Sequence, residues 1–168
     1  MSKIAIIYGS SSGNTQNVAE TMAEKLSGED VTLLDVAKVN IKDIEEYPNL
    51  ILGTSTWGLG DLQDDWETFL PKLASTNLQN KTIALFGLGD SGSYPDTFVD
   101  GMGIIYNTIK DKNIDLIGKV SVDDYEFDDS KAVNNGVFVG LALDEDNESD
   151  KTDERISGWL AEIIPSLQ

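Results

Sequence analysis

Short hydrophobic runs alternate along the chain with segments of helical periodicity. Six short runs are rich in apolar residues, are bounded by Gly, Asp or Asn, and are too short to form buried helices. These runs are residues 4–8, 31–34, 50–52, 82–86, 115–122 and 138–143. Apolar residues spaced i, i+3, i+4 and i+7 predict one buried helix face in each of the segments 15–26, 66–73, 98–109 and 156–163. Uniformly hydrophobic strands that alternate with helices indicate a parallel sheet covered on both faces, and therefore a three-layer α/β sandwich.

The C-terminal part of the chain departs from this alternation. Residues 123–135 are polar and lie between the last two hydrophobic runs, so we expect an insertion that splits or extends the last strand. The acidic run 144–150 is expected to be a solvent-exposed loop, as charge runs usually are. It begins like a calcium loop but lacks the glycine and glutamate that such a loop requires, so no metal site is expected. Thr152 is expected to cap the last helix, with two acidic residues in the first turn.

Composition and charge exclude several classes of function. The chain has 168 residues, which fits one domain over 1–168. Its 12 basic and 30 acidic residues give a net charge of -18, which repels nucleic acids and anionic lipid. The absence of Cys and His removes disulfides, thiolate or imidazole metal sites and histidine-activated nucleophiles. Without a signal peptide or a long apolar run, we expect a cytoplasmic protein with no membrane insertion.

The loop after the first strand has the features of a phosphate site. In open α/β sheets, ligands bind at the carboxyl ends of the strands. Here glycines allow a turn, hydroxyls can donate, and a following helix offers free N–H groups. The candidate residues are Ser10, Ser11, Ser12, Gly13, Asn14 and Thr15. No Lys follows Gly13, so the loop suits a single terminal phosphate held by neutral donors. A tight turn with no ligand is the alternative for this loop taken alone.

Two further loops place aromatic residues among glycines at the same edge. The loop after the third strand contributes Ser55, Thr56, Trp57, Gly58, Leu59 and Gly60. The loop after the fourth strand contributes Gly87, Leu88, Gly89, Asp90 and Tyr94. A tryptophan in the core belongs on a strand or helix face, as expected for Trp66 and Trp159. Trp57 and Tyr94 are therefore candidates to bracket a flat ring.

These three loops, in this order, resemble those of a flavodoxin of the long-chain type, and the resemblance covers the whole chain. It implies a flavodoxin-like sandwich with a five-stranded parallel sheet of order 2-1-3-4-5 and an insertion in the last strand. It also implies non-covalently bound FMN, with residues 10–15 on the phosphate, Trp57 and Tyr94 on the two faces of the ring, and Asp146 towards the ribityl chain. The implied function is a low-potential one-electron carrier between a reductase or photosystem and acceptor redox enzymes.

The resemblance also implies partners and a moving peptide. A carrier of this type is not an enzyme, is expected to be a monomer, and would dock on basic faces of redox partners such as a ferredoxin/flavodoxin-NADP reductase. The peptide at Gly58 would reorient when the flavin is reduced, which would bring this residue to positive φ. An alanine there is then expected to disfavour only the reoriented loop.

Two alternatives use the same fold. An NAD(P)H-dependent flavin or quinone reductase would need cationic groups near the ring, whereas the only arginine is Arg155 in the last helix. A phosphoacceptor receiver domain would need an aspartate at the end of the third strand, where this chain has Gly53 and Thr54.

Overall fold

A computed structural model describes residues 1–168. The strands are β1 (Lys3–Tyr8), β2 (Asp30–Asp35), β3 (Asn49–Trp57), β4 (Asp61–Leu62), β5 (Thr82–Leu88), β6 (Asp115–Ile117), β7 (Val120–Ser121), β8 (Val133–Asn134), β9 (Val137–Phe138) and β10 (Leu141–Leu143). The helices are α1 (Asn14–Lys25), α2 (Ile41–Glu45), α3 (Asp64–Ala74), α4 (Asp100–Ile109) and α5 (Glu145–Ile163), followed by a 3-10 turn at Ile164–Ser166. None of these helices combines the length and the hydropathy needed to cross a bilayer.

The central sheet has the order β2-β1-β3-β5-β10, and these neighbours are parallel. Among the five strands of this row, β5 is the fourth and β10 the fifth in chain order. The predicted order 2-1-3-4-5 is therefore confirmed. In the middle of the sheet, Ile6 lies between Leu33 of β2 and Ile51 of β3. The parallel arrangement brings the carboxyl ends of β1, β3 and β5 to one edge.

Helices cover both faces of this sheet. Ile4 and Ile6 of β1 belong to the apolar layer formed with α1 and α5. Ala5 and Ile7 belong to the opposite layer, formed with α3 and α4. All four side chains are fully buried, because a strand alternates its side chains between the two faces and both faces are covered. The predicted three-layer sandwich is therefore confirmed.

The last strand is split, as the sequence predicted, but the insertion is longer than 123–135. Strands β6 and β10 both pair in parallel with β5, at its beginning and its end respectively. Between them, residues 118–140 contain the antiparallel sheet β7-β9-β8. Strand β6 ends where Gly118 takes φ +82 and its carbonyl accepts a 2.8 Å hydrogen bond from Trp159 Nε1.

Two expectations about the acidic run are wrong. Residues 144–150 are not a loop, because α5 begins at Glu145 with Asp144 as its N-cap. The Asp144 carboxylate accepts a hydrogen bond from the backbone N–H of Asn147 at 3.2 Å. Acidic residues in the first turn also interact favourably with the positive end of the helix dipole. Thr152 therefore lies inside the helix, where its hydroxyl donates to the Glu145 carboxylate. Glu148 breaks the helical dihedrals with φ −135 and ψ 39, so α5 is kinked at that residue.

Candidate functional site

An open groove of about 270 Å³ lies at the carboxyl edge of the sheet. We call its walls the hydroxyl loop (10–13), the tryptophan loop (55–60) and the tyrosine loop (89–94), and the first residues of α5 form a fourth wall. The lining residues are Ser12, Asn14, Ser55, Thr56, Trp57, Gly58, Leu88, Gly89, Asp90, Tyr94, Glu145 and Asp146. No Lys or Arg is among them, so any polar ligand meets neutral donors and carboxylates there.

The hydroxyl loop presents the N-terminus of α1 to the groove. Gly13 turns the chain with φ +97, and its N–H donates to Ser10 Oγ at 3.0 Å. No side chain caps α1, so the first N–H groups of this helix are available to an anion. Ser11 Oγ instead accepts from Gln63 Nε2 at 3.1 Å, which ties the loop to the start of α3. Thr15 lies in the first turn of α1 and is buried.

The tryptophan loop consists of the end of β3 and the turn that leads into β4. Ser55, Thr56 and Trp57 were predicted in a loop but belong to β3, because Thr56 and Trp57 pair with β4. The Trp57 ring is 41% exposed, and its Nε1 donates to Ser55 Oγ at 2.8 Å. Trp66, by contrast, is completely buried and donates to the Gly53 carbonyl at 2.8 Å. Thr56 Oγ1 accepts from the N–H of Gly101 at 2.9 Å, so the base of the loop is attached to α4. Trp57 is thus held by a hydrogen bond while much of the residue stays exposed.

The tyrosine loop carries the second half-exposed aromatic ring. Tyr94 is 39% exposed, and its backbone N–H donates to the Asp90 carbonyl at 2.8 Å. The Asp90 carboxylate accepts from the N–H of Ser93 at 3.0 Å, and this bond is the main cause that lowers the pKa of Asp90. Asp90 is therefore kept ionised beside the groove.

The first residues of α5 close the acidic side of the groove. Asp144 is fully buried, and its carboxylate accepts from the hydroxyl and, at 3.3 Å, the N–H of Ser91. Asn147 Nδ2 donates to Asp90 Oδ1 at 2.8 Å. Burial, and then the neighbouring charges of Asp90, Asp144 and Glu145, raise the pKa of Asp146. Negative charge is therefore concentrated on this side of the groove.

Comparison with known proteins decides the family. The flavodoxin family model matches residues 6–159 of this chain. The chain belongs to the flavodoxin family. A flavodoxin of Nostoc sp. is 44% identical over 161 residues, covering 96% of this chain and 95% of the relative. A flavodoxin of Buchnera aphidicola is 44% identical over 167 residues, covering 98% and 97%. The solved structure of Fusobacterium nucleatum flavodoxin bound to flavin mononucleotide superimposes with a TM-score of 0.95 at 30% identity, covering 100% of both chains.

The structure brings most of the predicted flavodoxin site residues together around the groove. Those that line it are Ser12, Asn14, Ser55, Thr56, Trp57, Gly58, Leu88, Gly89, Asp90, Tyr94 and Asp146. Those that do not are Ser10, Ser11, Gly13, Thr15, Leu59, Gly60 and Gly87. Sequence reasoning missed Glu145, because the acidic run was expected to be a solvent-exposed loop and the resemblance placed only Asp146 of that run near the cofactor.

The predicted residues outside the groove have structural positions of their own. Leu59 is 83% exposed at the tip of the tryptophan loop. Gly60 takes φ +99, and a β-carbon there would lie 2.7 Å from Asp100 Oδ2. Gly87 and Leu88 were predicted in a loop but belong to β5, where they pair with β3 and β10. A β-carbon on Gly87 would lie 2.8 Å from Met102 Cβ, so this glycine is required by the packing of α4 against β5.

The conformation of Gly58 corrects one expectation. The resemblance implied that this residue takes positive φ only when the loop reorients, but its φ is already +51 in this structure. Its missing β-carbon would meet only Asp61 Oδ2, at 3.5 Å, which is ordinary contact. The left-handed conformation therefore belongs to the loop as it stands, and an alanine would strain the loop without a steric clash.

Proposed function

We propose that this chain is an electron carrier that binds FMN non-covalently in the groove and passes one electron at a time at low potential. The observation that carries the proposal is the groove itself, where two half-exposed aromatic rings, Trp57 and Tyr94, lie beside an uncapped helix N-terminus. The solved Fusobacterium nucleatum flavodoxin is bound to flavin mononucleotide, which supports the same cofactor for this chain.

The groove has chemistry that fits the two ends of FMN. Ser12 and Asn14 line it beside the free N–H groups of α1, and would hold the phosphate without a cation. Trp57 and Tyr94 would cover the flat ring, which gains about 1–3 kcal/mol per stacking contact. When bound, FMN supplies the redox chemistry, while the protein supplies binding and electrostatics.

The carboxylates of the groove favour a low potential. Asp90, Glu145 and Asp146 line it, and adding negative charge to a bound ring is opposed by each of them. In a water-like dielectric, one carboxylate about 10 Å away costs roughly 0.4 kcal/mol before salt screening. Several such terms add in the same direction, so the reduced ring is disfavoured.

The same acidity suits basic partners. With a net charge of -18, the chain would dock on basic faces of redox proteins such as a ferredoxin/flavodoxin-NADP reductase, and as a monomer. The cytoplasmic location stays a prediction from the sequence.

The alternative of an NAD(P)H-dependent reductase is not favoured. The only arginine, Arg155, is bound to Asp124 and Glu148 and does not line the groove. A direct test mixes NADPH, a ferredoxin-NADP reductase, cytochrome c and small amounts of the FMN-reconstituted protein. We expect cytochrome reduction to rise in proportion to the protein and to need the reductase. Oxidation of NADPH by the chain without the reductase would instead establish the enzyme.

A further inference from the structure

Arg155 is buried between α5 and the insertion, outside the groove. Its side chain is only 8% exposed. Nη2 donates to the Asp124 carbonyl at 3.1 Å, to Asp124 Oδ2 at 3.3 Å and to Glu148 Oε1 at 3.1 Å. Cζ lies 4.1 Å from the centre of the Tyr125 ring. One side chain of α5 therefore contacts two consecutive residues of the insertion and one residue of its own helix.

The guanidinium is incompletely paired for a buried cation. Nε and Nη1 are buried without a hydrogen-bond partner. The Tyr125 ring under them is itself fixed, because its hydroxyl donates to the Ala142 carbonyl of β10 at 2.8 Å. Buried ion pairs contribute little net stability, since desolvation offsets their attraction, and an incomplete pair contributes less. The arrangement is better explained by the geometry it imposes than by the stability it adds.

Arg155 binds Glu148, the residue at which α5 is kinked. Glu148 departs from helical dihedrals, and its carboxylate is also 2.8 Å from Lys151 Nζ. The residues just before the kink contact the tyrosine loop, through Asn147 to Asp90 and through Asp144 to Ser91. They also supply two of the carboxylates that line the groove. The direction in which α5 leaves the kink thus determines where this wall of the groove lies.

We propose that Arg155 is a positioning residue that fixes the kink at Glu148 and so holds residues 144–147 against the tyrosine loop. The insertion contributes to the groove through Asp124 and Tyr125, which keep the guanidinium in place. Without the cation, the Glu148 carboxylate loses a charge partner, and the kink loses the contact that ties it to the insertion. This inference rests on the proposed function only in its claim that the positioned wall serves FMN.

The test compares Arg155→Met with a matched control on the same helix. Methionine keeps much of the apolar stem and removes the charge. The control, Asp153→Asn, breaks the 3.0 Å ion pair to Lys25. The Asp153 side chain is 80% exposed and forms no ion pair or hydrogen bond with Glu148 or Arg155. We expect Arg155→Met to weaken FMN binding by about 2- to 30-fold, the range for coupling through a packed network. Asp153→Asn should leave it unchanged, and Arg155→Lys should restore part of the loss.

A second readout does not depend on FMN. Amide hydrogen exchange of the flavin-free full chain should become faster in peptides covering 89–94 and 144–148 of Arg155→Met, while peptides from β1 and β3 keep wild-type protection. Equal acceleration everywhere, or none in the tyrosine loop, would overturn the positioning role. If Arg155→Met does not fold, Glu148→Gln takes its place and should show the same local acceleration with a smaller amplitude. Wild-type exchange rates in Glu148→Gln would equally overturn the positioning role. Failure of the wild type to bind FMN would refute the proposed function, while the exchange result would still decide the coupling.

Discussion

Replacing Gly58 with alanine tests whether the tryptophan loop is already formed before flavin binds. The residue has φ +51, a conformation that glycine adopts freely and that costs other L-residues roughly 1–2 kcal/mol. The added methyl group would be 3.5 Å from its nearest neighbour, Asp61 Oδ2, so no steric term adds to the backbone cost. We therefore expect Gly58→Ala to lower the free energy of unfolding by about 1–2 kcal/mol.

The effect on FMN affinity follows from where that strain is present. If the loop is preformed, the strain exists in both the free and the bound protein, and the dissociation constant for oxidised FMN changes by less than about twofold. If binding moved residue 58 out of the left-handed region, alanine would tighten binding by roughly 5- to 30-fold. If binding moved it into that region, alanine would weaken binding by the same factor.

The assay pairs denaturant unfolding of the flavin-free protein with a fluorescence titration of FMN. Gly136→Ala is the matched control, because Gly136 has φ +82, has no atom within 4 Å of its missing β-carbon, and lies in the insertion hairpin away from the groove. Both variants should lose similar stability, and both should bind FMN like the wild type. A change in affinity beyond fivefold for Gly58→Ala alone, or unchanged stability, would refute a preformed loop.

Three further outcomes are expected. Trp57→Ala should weaken FMN binding by about 1–3 kcal/mol. The control Trp66→Phe loses the hydrogen bond to the Gly53 carbonyl, so it should lower stability but leave FMN affinity nearly unchanged. Equal losses of affinity in the two variants would make Trp57 an ordinary packing residue. Burial raises the pKa of Tyr125 to about 12 from 10.0, so the folded state retains this proton and loses stability as pH rises from 10 towards 12. Denaturant unfolding of Tyr125→Phe should show a shallower loss across that window, and parallel pH profiles would contradict the burial of this phenol. Electron transfer to a basic reductase should slow as salt rises from low to physiological strength, and a flat encounter-limited rate would argue against an acidic docking surface.

Local patterns were sufficient to predict the parts of the fold that hydrophobic burial determines. The run 4–8 became β1, because a strand covered on both faces must be apolar throughout. The contrast between Trp57 among glycines after the third hydrophobic run and Trp66 on a helix face also predicted which ring is exposed. In each case, the signal and its cause lie within one element.

The expectations that failed depend on contacts between distant parts of the chain. Asp144 begins α5 partly because its carboxylate is bound by Ser91, 53 positions earlier, and no local pattern contains that partner. The role of Gly87 in packing depends on Met102 of a separate helix. Helix α2 has five residues, too few to display a periodic face.

The central claim is that this chain carries one FMN in the groove between Trp57 and Tyr94. The most direct measurement is acid extraction of the purified protein, after incubation with excess FMN, FAD and riboflavin and removal of unbound flavin, with chromatographic identification and a protein assay. We expect close to one FMN per chain, because a phosphate site without a cation suits a monophosphate. Recovery of FAD, of riboflavin at the same level as FMN, or of no flavin would contradict the account.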